Sequence, residues 1–339
     1  MNSAGFGLLL LVAAGLMNAS FALPMKYTKR WAWENTWLVF SFVALVLLPA
    51  LAAFSTLPQL AQVYGAAGFT LLWHVVVFGA GWGLAQVFFG IAVDAIGIAL
   101  TFSLVLGTSA AMGALIPMLL LHAEKLHTPA GHLMLLGIAL LLVGVAICAV
   151  AGSLRDKAKP AAGNQPRKNA TPGLILAILC GALASFQNFG IAFGTPLLAL
   201  ATQHGANPAN AANAVWMPLL MAGAIPNLFY CIYLLRKNST AGKFVSVGIN
   251  YWFLAFVMGA FWFGSVLLYG AAVPRLGALG SSLGWPLYMS LIVVAASFVG
   301  IATGEWKQSG RRPLTIQLAG VATLIVAIIL LAKATQAMA

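Results

Sequence analysis

The chain has 339 residues, 62% of them hydrophobic and only 6% charged, which leaves too little polar surface for a water-soluble globule. Its formal net charge of +12 does not point to nucleic acid, because the Lys and Arg residues fall in short segments between long apolar runs. Cys148, Cys180 and Cys231 each stand alone inside such a run, so neither a disulfide framework nor a metal site is indicated.

Each apolar run can cross a hydrocarbon core of about 30 Å as a helix. Lipid gives the backbone no hydrogen-bond partners, so the spanning structure is either a helix bundle or a closed barrel. Barrel strands alternate over segments of about ten residues, whereas these runs are solidly apolar. The expected fold is therefore an all-α integral membrane protein.

Ten transmembrane helices fit, at 5–23, 35–54, 71–93, 97–121, 133–151, 173–193, 215–235, 251–273, 281–303 and 314–332. The first has no Lys or Arg before it and continues into MKYTKR rather than a cleavage site, so it reads as a span and not as a signal peptide. A polar stretch without apolar periodicity interrupts the chain after the fifth, giving a five-helix repeat at 1–152, a linker at 153–171 and a second five-helix repeat at 172–339.

Fourteen of the 17 Lys and Arg residues lie in the loops after the odd-numbered spans, and Lys125, Arg275 and Lys333 lie on the other side. The positive-inside rule puts the rich side in the cytoplasm and both termini outside.

The two halves echo each other. Sliding FGAGWGLAQVFFGIAVDAIG at 78–97 by 180 positions onto MGAFWFGSVLLYGAAVPRLG at 258–277 superposes Gly79 on Gly259, Trp82 on Trp262, Gly90 on Gly270 and Gly97 on Gly277. A weaker echo pairs NASF at 18–21 with LASF at 183–186. Five spans per half means that the second copy enters from the opposite side, so the repeats are expected to be inverted. Inverted repeats let a fold alternate between outward- and inward-open states around a central cavity, which points to transport.

A sugar is recognised by amides and hydroxyls that bond its hydroxyl groups and by aromatic faces that stack on its C–H surface. Trp82 and Gln86, four apart, share a face of the third span. The matching face of the eighth carries Trp262, with Ser265 and Tyr269 near it. Asn18, Gln187, Asn188, Asn227, Trp285 and Tyr288 add polar or aromatic groups from the first, sixth, seventh and ninth spans, although each could equally bond a neighbouring helix. Pro286 beside Trp285 raises the prospect of a broken helix. Three residues are candidates for proton coupling: Asp94 at the inner end of the third span, His74 near its outer end, and Glu34 at the start of the second, where it could also serve as a cap.

The five-plus-five pattern resembles the drug/metabolite transporter superfamily. PMKYTKRWAWENTW at 24–37 and GEWKQSGRRPL at 304–314 resemble loop blocks of the L-rhamnose–proton symporter family, and Trp82, Asn227, Trp262, Tyr269 and Trp285 are similar in position to residues of that family. The resemblance runs nearly end to end. It implies inner-membrane uptake of L-rhamnose or a related deoxysugar by proton symport, with no cofactor, and the protein is expected to be a monomer. A metabolite or drug exporter of the same superfamily is the alternative within the class. An intramembrane enzyme would need a nucleophile–base or metal constellation, and the chain has no HExxH and no GxSxG.

Overall fold

The computed structural model describes residues 3–157, 170–277, 279–307 and 309–338; the side chains of residues 94, 98, 99, 170 and 338 are outside that description. The described residues are helical and contain no strand. Ten helical stretches are long and apolar enough to cross a membrane: Ser3–Tyr27, Trp33–Thr56, Leu60–Val93, Leu100–Leu121, Pro129–Lys157, Thr171–Gln203, Asn213–Lys237, Ile249–Leu276, Gly280–Ala302 and Arg311–Ala337. They are called the first to tenth spans below.

Three spans are irregular, each for an identifiable reason. In the second, Pro49 cannot donate to the Leu45 carbonyl, and the helix widens to a π turn at Val43–Leu47 between α-helices Trp33–Phe42 and Leu48–Thr56. The third reaches well before its apolar run, back to Leu60, across a kink at Gly68 (φ 71°). The sixth is three helices in series, Ala170–Ala184, Phe186–Phe193 and Thr195–Gln203, and Pro196 in the first turn of the last piece needs no partner for its missing donor. The ninth span, by contrast, is one continuous helix through Pro286. Trp285 and Pro286 are both buried in it, so packing accommodates the proline without breaking the helix.

The chain forms two compact units, and both draw on both halves of the sequence. One comprises Met1–Leu16, Phe88–Ser185 and Ala272–Ala339; the other comprises Met17–Val87 and Phe186–Ala271. The chain passes between them inside the first, third and sixth spans and near the end of the eighth.

In the first unit the fifth and tenth spans pack along a seam of small residues. Leu331 sits against Gly137 and Leu324 against Gly144, seven residues apart on each helix, and Cys148 lies on Gly320. Glycine lets the backbones approach closely where lipid provides no hydrophobic drive for association.

The second unit closes in the same manner. A methyl group at Gly79 would run into the Leu219 carbonyl, and one at Gly83 into Gly223, so the third and seventh spans touch backbone to backbone. Pro218 in the seventh span leaves the Ala214 carbonyl without its helical donor, and the Tyr64 hydroxyl donates to that oxygen at 3.1 Å. Asn213 Nδ2 adds a bond to Thr56 Oγ1 at 2.9 Å. Such replacements keep freed backbone groups satisfied in an apolar environment.

Candidate functional site

The second unit holds an aromatic cavity lined by Phe21, Trp37, Phe40, Ser41, Leu45, Trp82, Gln86, Asn227 and Trp262. Helical spacing explains the contribution of the second span. Trp37, Phe40 and Ser41 are three and four apart and share one face, and the π turn that follows carries Leu45 on the same wall.

At the centre are the two tryptophans that the repeat superposes. Trp82 and Trp262 stack with ring centroids 5.5 Å apart and planes at 29°. Phe40 meets Trp262 edge-on at 6.3 Å, Trp37 packs on Phe40 at 4.8 Å, and Phe21 stacks on Phe40 at 5.4 Å. Glycines make the approach possible: at Gly259 a Cβ would meet Val43 Cγ1 at 2.6 Å, one turn before Trp262 on the same helix.

The polar groups in this wall are unequally occupied. Asn227 Nδ2 donates to the carbonyls of Gly83 at 3.2 Å and Gly223 at 2.9 Å, bracing the close contact of the third and seventh spans. Ser41 is 1% exposed, yet its Oγ has no hydrogen-bond partner. Leaving such a group unmet costs about 1–3 kcal/mol, which makes a buried orphan hydroxyl in a cavity wall a functional signal. Gln86 reaches the same space from the third span.

The open volume is about 40 Å³. That is room for water, far below the roughly 300–1,000 Å³ of ligand pockets, so the cavity as it stands is too small for a sugar.

The other candidates from the sequence lie elsewhere. Tyr269 donates its hydroxyl to Asn188 Oδ1, and Ser265 and Gln187 are buried; all belong to the second unit, but none lines the aromatic cavity. Asn18, half-buried on the first span, does not line it either. Trp285 and Tyr288 belong to the first unit, where their rings lie 5.9 Å apart and Trp285 Nε1 donates to the Ser109 carbonyl at 3.0 Å.

Of the proton-coupling candidates, Glu34 is the one held in a built environment. It is 4% exposed, and its Oε1 accepts from Thr240 Oγ1 at 2.6 Å and from Asn238 Nδ2 at 3.0 Å. Beside it, Asn35 Oδ1 accepts from the Ala32 backbone at 3.2 Å while its Nδ2 donates to the Thr240 carbonyl at 3.1 Å, and Trp31 Nε1 donates to the Lys243 carbonyl at 3.1 Å. His74 is exposed, and the Asp94 side chain lies outside the described residues.

Sequence reasoning missed Phe21, Trp37, Phe40, Ser41 and Leu45. The usable signal was the Trp33–Trp37–Phe40–Ser41 spacing ahead of Pro49, an aromatic stripe leading into a helix irregularity.

Comparison with known proteins finds relatives over nearly the whole chain. The family model described as L-rhamnose-proton symport protein (RhaT) matches residues 1–337. The L-rhamnose-proton symporter of Salmonella typhi is 29% identical over 317 residues, covering 91% of this chain and 92% of that protein. Those of Yersinia pestis (strain Pestoides F) and Yersinia pseudotuberculosis serotype O:3 (strain YPIII) are 30% identical over 319 residues, with the same coverage. A match of that extent makes this chain a multi-pass membrane transport protein of the L-rhamnose-proton symport protein family.

Proposed function

We propose that the protein imports L-rhamnose, or a closely related deoxysugar, together with a proton. The observation that carries the reading is the cavity around Trp82 and Trp262, where two stacked aromatic faces stand beside the unpartnered Ser41 hydroxyl and the Gln86 amide. Ring faces suit the apolar C–H surface and methyl group of a deoxysugar, and the hydroxyl and amide suit its hydroxyl groups. A metabolite exporter would be served by a less polar wall.

In this reading the sugar enters by separating the tryptophan pair, and each ring exchanges its partner for a sugar face. The halves are inverted repeats that alternate access to the cavity. The protein is a monomer in the inner membrane, with the Lys/Arg-rich loops in the cytoplasm and both termini in the periplasm. Glu34 is the proton carrier best supported, because it is a buried carboxylate bonded by the neutral donors Thr240 and Asn238, with Lys243 the cation near enough to act on its charge.

The test is sugar-induced alkalinisation in energy-depleted vesicles, across deoxyhexoses, hexoses and pentoses. L-rhamnose should give the strongest signal, and Glu34→Gln should abolish the pH change while leaving sugar binding measurable by tryptophan quenching. A full-sized pH change in Glu34→Gln would remove Glu34 from the coupling role, and a panel in which another sugar dominates would replace the substrate.

A further inference from the structure

The larger cavity lies in the first unit. It is an open groove of about 290 Å³, bounded by the fourth, fifth, ninth and tenth spans and the loop after the ninth. Nothing in the sugar reading uses it.

Its interior is apolar, formed by residues such as Leu106, Val145, Ala149, Ile292 and Ala296. Two of the polar groups on its wall, Gln317 and Ser297, are already paired. Gln317 Nε2 donates to Ser297 Oγ at 2.7 Å, and Ser297 Oγ donates to the Val293 carbonyl at 2.7 Å. A ligand inside therefore gains little by being polar. At about 30 Å³ per water-sized group, the volume takes about ten such groups in a row, the calibre of a stretch of acyl chain. Phe102, 44% exposed, stands at its edge.

The mouth is charged. Arg155 Nη1 contacts Glu305 Oε2 at 3.3 Å, its Nη2 and Nε each contact Asp156 Oδ1 at 3.0 Å, and its guanidinium lies 5.1 Å from the Trp306 ring centre. Those contacts use three of the five guanidinium donors, leaving two. The charged groups lining the cavity are Arg155 and Glu305, and with Asp156 on Arg155 the cluster carries two carboxylates to one guanidinium. Their complement is a zwitterion, with a phosphate for the remaining Arg155 donors and an ammonium for the Glu305 carboxylate. Tryptophan beside the pair is the side chain that favours the headgroup level of a bilayer.

We infer that this cavity is a phospholipid site, taking one acyl chain between the four spans and an ethanolamine headgroup on the Arg155–Glu305 pair. The preference for ethanolamine over an anionic headgroup follows from the excess of carboxylate at the mouth, which attracts an ammonium and repels a headgroup of net negative charge. Lys157 and Lys307 flank the pair in sequence but do not line the cavity, so attraction of an anionic lipid to them would not depend on filling it.

The experiment is thermal unfolding of the purified full chain in detergent, with added dioleoyl phosphatidylethanolamine or dioleoyl phosphatidylglycerol. The ethanolamine lipid should raise the melting temperature by several degrees and the glycerol lipid by less than half as much. Ala296→Trp, which fills the cavity from an exposed position, should remove the ethanolamine shift while leaving the lipid-free melting temperature near wild type. Glu305→Gln should erase the preference between the two headgroups. Should Ala296→Trp fold poorly, Ala149→Leu fills the same space and carries the same expectation. An equal or larger shift with phosphatidylglycerol, or a full ethanolamine shift in the filled variants, overturns the proposal.

Discussion

The third and eighth spans carry the same sequence skeleton, and the structure puts the two copies to unlike uses. Their tryptophans meet: Trp82 and Trp262 stack on each other. Their closing glycines share a backbone conformation, with φ of 86° at both Gly97 and Gly277, a region that glycine enters without a steric penalty. Four residues beyond each tryptophan the copies part. Gln86 reaches the aromatic cavity, whereas its counterpart Val266 is 1% exposed in the packed interior. The glycines one turn before the tryptophans also find different neighbours, Gly79 against Leu219 and Gly259 against Val43. What the copies share builds the stack and ends the helices. What they do not share puts an amide in the cavity wall from the third span and none from the eighth.

The strongest way to break this comparison is to remove the close approach on which one copy depends. Gly83→Leu drives a side chain into Gly223 and should destabilise the protein by about 3 kcal/mol or more. The expected result is loss of monodisperse protein in detergent.

Next comes the shared pair. Trp262→Ala should weaken sugar binding about thirtyfold or more, the effect of about 2 kcal/mol expected for a buried anchor, read by titration calorimetry. Trp82→Ala should do the same, and equal losses would mean that the two copies contribute alike to the stack.

A sharper test makes the copies identical at the point where they differ. Gln86→Val should cost about 1 kcal/mol of sugar affinity, roughly fivefold, with the melting temperature unchanged or raised. The reverse change, Val266→Gln, buries an amide without a partner and should cost about 1–3 kcal/mol of stability with no gain in binding.

The smallest effect is expected at Ser41. Because its hydroxyl has no partner, Ser41→Ala should leave the melting temperature level or slightly higher while reducing uptake a few-fold. A clear loss of stability would mean that the hydroxyl is satisfied by ordered water rather than kept for a ligand.

Much of the fold could be read from the residues, and for a simple reason. In lipid, a helix must be apolar along its whole length, so the ten runs announce themselves, and all ten have a helical counterpart. Their ends were less legible where helix continues past the apolar run: the third span begins at Leu60 because a glycine kink lets the preceding segment join it, and the sixth continues past Pro196 after a break.

The cavity was half legible. Trp82, Gln86, Asn227 and Trp262 were chosen by composition and periodicity, and the structure brings them together. Trp285 and Tyr288 satisfied the same criteria, yet they lie in the other unit, because periodicity fixes a helix face and not the neighbour that it meets. Ser41 falls on the aromatic stripe of the second span, but its lack of a partner could not be read from sequence. A serine in an apolar run usually bonds a carbonyl three or four residues back, as Ser290 does with Pro286 at 2.8 Å, and only packing reveals one that does not.

The way the chain threads its two units bears on how it is made. The first unit needs residues from both ends of the polypeptide, Met1–Leu16 and Ala272–Ala339. The second needs Phe186–Ala271, so the stack between Trp82 and Trp262 waits on a segment synthesised 180 residues after its first member. A nascent chain stopped after Lys157 carries five apolar helices and neither finished unit. Insertion must therefore run well ahead of packing, with each early helix held in the bilayer by its own hydrophobicity until its partners emerge. For such a protein, the early helices wait in the bilayer for partners made long after them, and quality control has nothing compact to inspect in the meantime.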